Sequence, residues 1–203
     1  MVGARSYDFM YRFWAPWDQV GVRDDLRSLL KTGRVTPASH PRSIDLGCGS
    51  GANVVYLAEE GFDSYGVDFS AVAIAKARER AAREGVDCTL VQGDLTAPLV
   101  VGAEGPFDIL VDFGTLDDLR GDGRRRMAST IDRLSRPGSV FLEWCFYGPV
   151  GELPRFSFLG SSRIGAPSIE PGELEELFGE RWEIELFVRH PEIRAACFLL
   201  TCR

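Results

Sequence analysis

Apolar positions along this chain change period several times, and each change marks an element. Val22, Leu26, Leu29 and Leu30 recur at helical spacing between about Val20 and Lys31, with Gly33 beyond the end. Arg42–Leu46 then predicts a short strand running into a glycine turn, and 50–60 a helix stopped by Gly61. A strand over 64–69 leads to Ser70, an N-cap for an alanine-rich helix that ends near Glu84-Gly85. Residues 87–92 alternate like a strand, and 107–113 is an apolar run of the kind buried on both faces. A helix over Asp122–Leu134 stops at Pro137-Gly138, and 139–146 is the next strand. Residues 149–171, rich in Gly, Pro and Ser, predict a long loop with room for a short helix. Glu173–Phe178 predicts a brief helix, and Trp182–His190 with 194–202 an antiparallel hairpin.

Alternation of strand and helix from Arg42 onward predicts a parallel sheet covered on both sides. The expected organisation is one domain over 1–203, with 1–41 a helical N-terminal region, 42–203 the core and 149–171 a loop insertion. Tyr7, Phe9, Tyr11, Phe13, Trp14 and Trp17 crowd the N-terminal region, and Pro16 should end any helix begun near Ser6.

Composition adds exclusions. Hydrophobic residues make up 45% of the 203 and charged residues 26%, the balance of a folded globular chain. A net charge of -7 disfavours phosphate backbones, so no nucleic-acid partner is expected. Arg124-Arg125-Arg126, beside Asp117, Asp118 and Asp122, reads as a solvated helix start. Five cysteines without a CxxC, and only two histidines, argue for free buried thiols and no metal site. Neither a signal sequence nor a membrane-length apolar run is visible, so the expected location is cytoplasmic, without membrane association.

The chemistry gathers at Asp45-Leu46-Gly47-Cys48-Gly49-Ser50-Gly51, a glycine loop between a strand and a helix. Glycines let a ligand approach the backbone, and the helix N-terminus offers free amide donors. Asp68 ends the next predicted strand, 21 residues after Gly47, where a carboxylate can accept both hydroxyls of a ribose. Gly47-x-Gly49-x-x-Ala52 also fits a nicotinamide dinucleotide fingerprint. Asp45 separates the two readings: it repels a pyrophosphate and attracts the ammonium and sulfonium groups of S-adenosylmethionine.

With Gln92-Gly93-Asp94-Leu95, 107–112 and Arg136-Pro137-Gly138 following in order, the chain resembles the class I S-adenosylmethionine-dependent methyltransferases. The resemblance implies a doubly wound, Rossmann-like, mostly parallel seven-stranded α/β sheet, with a C-terminal antiparallel hairpin and helices on both faces. It also implies S-adenosylmethionine as cofactor. Asp45, Gly47, Cys48, Gly49 and Gly51 would line the methionine end, and Asp68 would hold the ribose. Phe69 would stack near adenine, Asp94 and the Leu95 amide would meet the adenine amino group, and Asp112 would lie near the methionine moiety.

Trp14-Ala15-Pro16-Trp17-Asp18 resembles the lid of the tellurite-resistance and thiopurine group of small-molecule methyltransferases, and Trp17 would contact the cofactor there. That group often carries Gly-x-Phe-His-His-Leu after the fourth strand, where this chain has Gly114-Thr115-Leu116-Asp117-Asp118-Leu119. Asp117 is therefore the one candidate base, against a competing reading of Asp117 and Asp118 as solvent-facing helix caps. Asp112-Phe113-Gly114-Thr115 lacks the paired prolines of nucleic-acid and protein-glutamine methyltransferases, which favours a small-molecule acceptor. Phe156 and Phe158 are expected to wall its pocket.

Overall fold

The structure is a computed structural model and describes residues 4–13, 15–149, 155–157, 163–165 and 167–203. Its elements are α1 (Ala4–Phe13), α2 (Asp24–Lys31), β1 (Arg42–Leu46), α3 (Ala52–Glu59), β2 (Asp63–Asp68), α4 (Ala71–Glu84), β3 (Thr89–Gln92) and β4 (Ile109–Phe113). They continue with α5 (Asp122–Leu134), β5 (Val140–Phe146), β6 (Arg155–Ser157), β7 (Arg163–Gly165), α6 (Glu173–Phe178), β8 (Trp182–His190) and β9 (Ala195–Cys202).

Seven strands form one sheet in the order β3-β2-β1-β4-β5-β9-β8, parallel through β5 and antiparallel from β5 to β8. Sequence and structure agree on this architecture. Ile109, Val111, Leu142 and Trp144 pack with Leu26, Leu29 and Leu57 of α2 and α3 on one face. Ile44, Leu110 and Phe141 pack with Met127, Ile131 and Phe178 of α5 and α6 on the other. Each such buried side chain contributes about 1.5–3 kcal/mol, which is why the central strands lack polar alternation.

Local signals act where they were expected. Ser70 Oγ accepts from the Ala73 amide at 3.1 Å to start α4, and Gly85, at φ 69°, ends it. The N-terminal helices differ from the expectation. A 3-10 turn over Pro16–Val20, then Gly21 at φ 72°, uses up residues assigned to the second helix, so α2 begins only at Asp24. Segment 149–171 is also not all loop, since β6 and β7 pair within it. Phe158 lies outside the described residues, as does the side chain of Phe156.

From β1 the chain builds outward to β2 and β3, then returns to lay β4 and β5 on the other side. Strand order therefore reverses between β1 and β4, and the crevice beyond their carboxyl ends is where open α/β sheets bind ligands. Asp45 and Asp112 stand there, because Leu46 pairs with Asp112 in the β1–β4 register.

Candidate functional site

The glycine turn is fastened to the neighbouring strand. Gly47 and Cys48 amides both donate to the Val67 carbonyl, at 2.8 and 2.9 Å. Gly47 and Gly49 adopt φ of 80° and 53°. A Cβ at Gly47 would lie 1.9 Å from Thr115 Oγ1, and one at Gly49 would lie 2.7 Å from the Tyr11 hydroxyl oxygen. Both positions need glycine twice over, for backbone conformation and for space.

Three carboxylates surround this turn. Asp68 accepts from the Gly49 amide at 3.0 Å and the Ser70 amide at 2.8 Å. Burial pushes its acid up to about 6 while those two donors pull it down. Asp112 accepts from the Thr115 and Leu116 amides at 2.8 and 2.7 Å, and burial pushes it to about 6 as well. Asp45 is 2% exposed, and its Oδ2 has no hydrogen-bond partner among the described residues. Burial, then Asp112 and Asp68, raise it to about 8, opposed by Arg23 and Asn53. Three buried acids, one with an unpartnered oxygen, ionise most readily beside a cation, so these residues fit the methionine end of S-adenosylmethionine.

An aromatic cluster from α1 and the 3-10 turn packs over the glycine turn. Tyr11 stands over Gly49 and accepts from Trp17 Nε1 at 3.2 Å, their rings edge-on at 6.0 Å. Tyr7 packs its ring 4.9 Å from that of Phe69 and donates its hydroxyl to Asp118. Asp8 accepts from Ser70 Oγ at 2.5 Å and from the Val72 amide at 3.3 Å, and Lys76 Nζ donates to the Tyr11 carbonyl at 2.5 Å. Trp14 lies outside the described residues.

The two adjacent aspartates separate. Asp117 is 2% exposed, accepts from the Phe146 amide at 2.9 Å, and is pushed up to about 8 by burial. Asp118 is exposed and accepts from the Tyr7 hydroxyl. Neither caps α5, whose N-cap is Gly121. Asp94 is exposed and accepts from the Thr96 amide and hydroxyl at 2.8 and 2.7 Å, while the Leu95 side chain belongs to the core. Among the described residues no cluster could hold a metal ion, and no helix is long and apolar enough to cross a membrane.

Residues 44–138 match the methyltransferase domain family. An uncharacterized methyltransferase of Schizosaccharomyces pombe is 31% identical over 51% of this chain and 70% of its own length. The chain belongs to the class I S-adenosylmethionine-dependent methyltransferases. Within them it is similar to 2-heptyl-1-hydroxyquinolin-4(1H)-one methyltransferase of Mycobacteroides abscessus, 26% identical over 84% of this chain and 69% of that one. It is also similar to ribosomal RNA small subunit methyltransferase C of Alcanivorax borkumensis, 35% identical over 48% of this chain but only 30% of that one. Of the solved structures, one concerned with converting a disulfide bond into a thioacetal group during echinomycin biosynthesis superposes with a TM-score of 0.76, at 22% identity, covering 98% of this chain and 91% of that one. TehB of Haemophilus influenzae gives 0.66 at 17% identity, covering 96% and 66%. These likenesses fix a methyltransferase fold, and S-adenosylmethionine is the cofactor of the family.

Several residues of this methyltransferase's crevice carried no sequence signal. Arg23 lies 5.7 and 5.1 Å from the ring centres of Phe113 and Trp144, and its charge opposes that of Asp45. Its amide donates to Asn53 Oδ1 at 3.2 Å. Tyr7 and Tyr11, one helical turn apart on α1, were visible as aromatics but not as lid contacts. Arg124 is a correction: its side chain is 11% exposed, pairs with Glu173 at 2.6 Å, and donates to the Leu119, Asp117 and Ser168 carbonyls at 2.8, 2.7 and 2.7 Å. A basic triplet cannot reveal carbonyls brought in from 44 residues away.

Proposed function

We propose that this protein transfers a methyl group from S-adenosylmethionine to a small-molecule nucleophile. One observation carries the reading: Asp45, Asp68 and Asp112 converge around a glycine turn at the point where strand order reverses, beneath an aromatic lid. When bound, the cofactor supplies an electrophilic methyl on a cationic sulfur. Asp45 and Asp112 hold the cationic end, with Gly47, Cys48, Gly49 and Gly51 shaping the backbone around it. Asp68 has a lone pair left on each oxygen for the ribose hydroxyls. Phe69 offers a flat face to adenine, and Asp94 with the Leu95 amide takes its amino group. Tyr7, Tyr11 and Trp17 exclude water and hold the reactants in near-attack geometry, which supplies much of the acceleration in such a displacement.

For an acceptor that must lose a proton, Asp118 is better placed than Asp117. Asp117 is enclosed and bonded to the β5 backbone, whereas Asp118 is exposed and reached by the lid. A small acceptor is supported by the missing paired prolines after β4 and the acidic balance. The Mycobacteroides relative, named for a hydroxyquinolone acceptor, matches over most of this chain. Production of S-adenosylhomocysteine should appear with some member of a panel of thiols, phenols and amines. Turnover on ribosomal RNA fragments alone would overturn the reading.

A further inference from the structure

Glu143 lies in the middle of β5 and is fully buried, and neither of its carboxyl oxygens has a hydrogen-bond partner among the described residues. The β4–β5 register sets it directly beside Asp112. Both oxygens of Asp112 already accept one backbone amide each, and each keeps a second lone pair. The other titratable or charged groups near Glu143 are Asp117 after β4, Arg124 on α5, Cys145 on its own strand and Cys197 on β9. Arg124 directs its guanidinium to Glu173 and to three carbonyls, so it neutralises Glu143 only from a distance.

An ionised carboxylate without a donor is penalised by several kcal/mol in such a setting. A protonated one gains a donor, and the adjacent Asp112 is the acceptor within its reach. We propose that Glu143 is a positioning residue for the cofactor: its acid form donates to Asp112, and a cationic ligand beside Asp112 repels that proton and offsets part of the negative charge it leaves on the pair. The O–H bond breaks heterolytically, the electron pair stays on Glu143 and the proton leaves to buffer. Binding is then linked to proton release, and more strongly for S-adenosylmethionine than for S-adenosylhomocysteine, which lacks the sulfonium charge. The inference rests on the reading that Asp112 faces the methionine end.

Titration calorimetry in two buffers of different ionisation enthalpy counts the protons. Wild-type protein should release a fraction of a proton with S-adenosylmethionine and a smaller one with S-adenosylhomocysteine. Affinity for the former should rise by up to about tenfold per pH unit while the pair titrates. Glu143→Gln keeps a donor to Asp112 but cannot titrate, so it should release fewer protons than wild type, keeping only the share that Asp45, beside Asp112 and raised to about 8, gives up. Equal proton counts in the two proteins would overturn the proposal. Infrared difference spectra add a second measurement. Wild-type protein at neutral pH should lose protonated-carboxyl intensity on adding S-adenosylmethionine, part of it absent from Glu143→Gln because Asp45 supplies only the rest. No such loss in wild type, or an identical loss in both proteins, sinks the idea. Asp112→Asn separates the two readings, because unchanged cofactor affinity there would remove the Asp112 assignment itself.

Discussion

The hydroxyl of Tyr7 on α1 donates to the carboxylate of Asp118, 111 residues further along the chain. This bond ties α1 to the loop after β4. Tyr7→Phe keeps the ring against Phe69 and removes only the bond. Its expected effect is a loss of about 1 kcal/mol, or roughly fivefold, in S-adenosylhomocysteine affinity, since the carboxylate is exposed. Asp118→Asn retains an acceptor oxygen and should lose less. Calorimetry on both variants decides, and equal affinities in all three proteins would show the lid bond to be idle.

Gly49→Ala places a methyl against the Tyr11 hydroxyl and forces alanine to φ 53°. Cofactor affinity should fall more than tenfold as the lid lifts. Adding Tyr11→Phe removes the clashing oxygen and should recover part of the loss. About 1 kcal/mol of backbone strain remains in either background. Recovery in the double variant is the measurement that distinguishes a lid clash from a disturbed turn.

Asp68→Ala deletes the acceptor for two backbone amides as well as the ribose partner. Stability should drop by about 1–3 kcal/mol for the amides left behind. Cofactor binding should fall beyond detection in the same experiment. Asp68→Asn keeps one acceptor and should restore stability more than binding, as read by thermal shift with and without S-adenosylhomocysteine.

Asp45 titrates near 8 in the folded chain against 3.8 for the ordinary group. Between those values the native state holds a proton that the unfolded chain has released, so ligand-free stability falls as pH rises through that window. Asp45→Asn cannot titrate. Its advantage over wild type should be near zero at pH 4 and grow by up to about 1.4 kcal/mol per pH unit towards pH 8, while cofactor affinity is lost. Urea unfolding at several pH values checks the slope.

Arg124→Ala withdraws a guanidinium that joins the loop after β4 to the segment before α6. The expected loss is about 3–5 kcal/mol, because Glu173 and three carbonyls lose their donor together. Lysine should not rescue it, since one ammonium cannot span that fork. A variant as stable as wild type by denaturant titration would contradict this.

Much of the framework was legible because local chemistry specifies it. β1 and α6 fall within their expected limits, and Ser70 and Gly85 bound α4 through capping that sequence alone declares. What escaped depends on distant partners. Asp117 and Asp118 are indistinguishable in sequence, yet one meets an amide 29 residues away and the other a lid tyrosine. Asp94, Phe69 and Trp17 were named from a pattern, and their places here, a loop cap and two members of an aromatic cluster, give each its present partners. Glu143 was passed over because one acid within an apolar strand carries no periodic signal.

The position of β9 has a consequence for how the molecule is made. The strands that carry Asp45, Asp68 and Asp112 all precede Phe146, but β5 borrows its second partner from Ala195–Cys202. Until that stretch leaves the ribosome, the apolar run Val140–Phe146 presents an open edge able to recruit a strand from another molecule. The strands that carry the three aspartates are thus made early, and the edge beside them is covered late. Yield in a cell should depend on what shelters that edge in the interval as well as on the stability of the finished sheet.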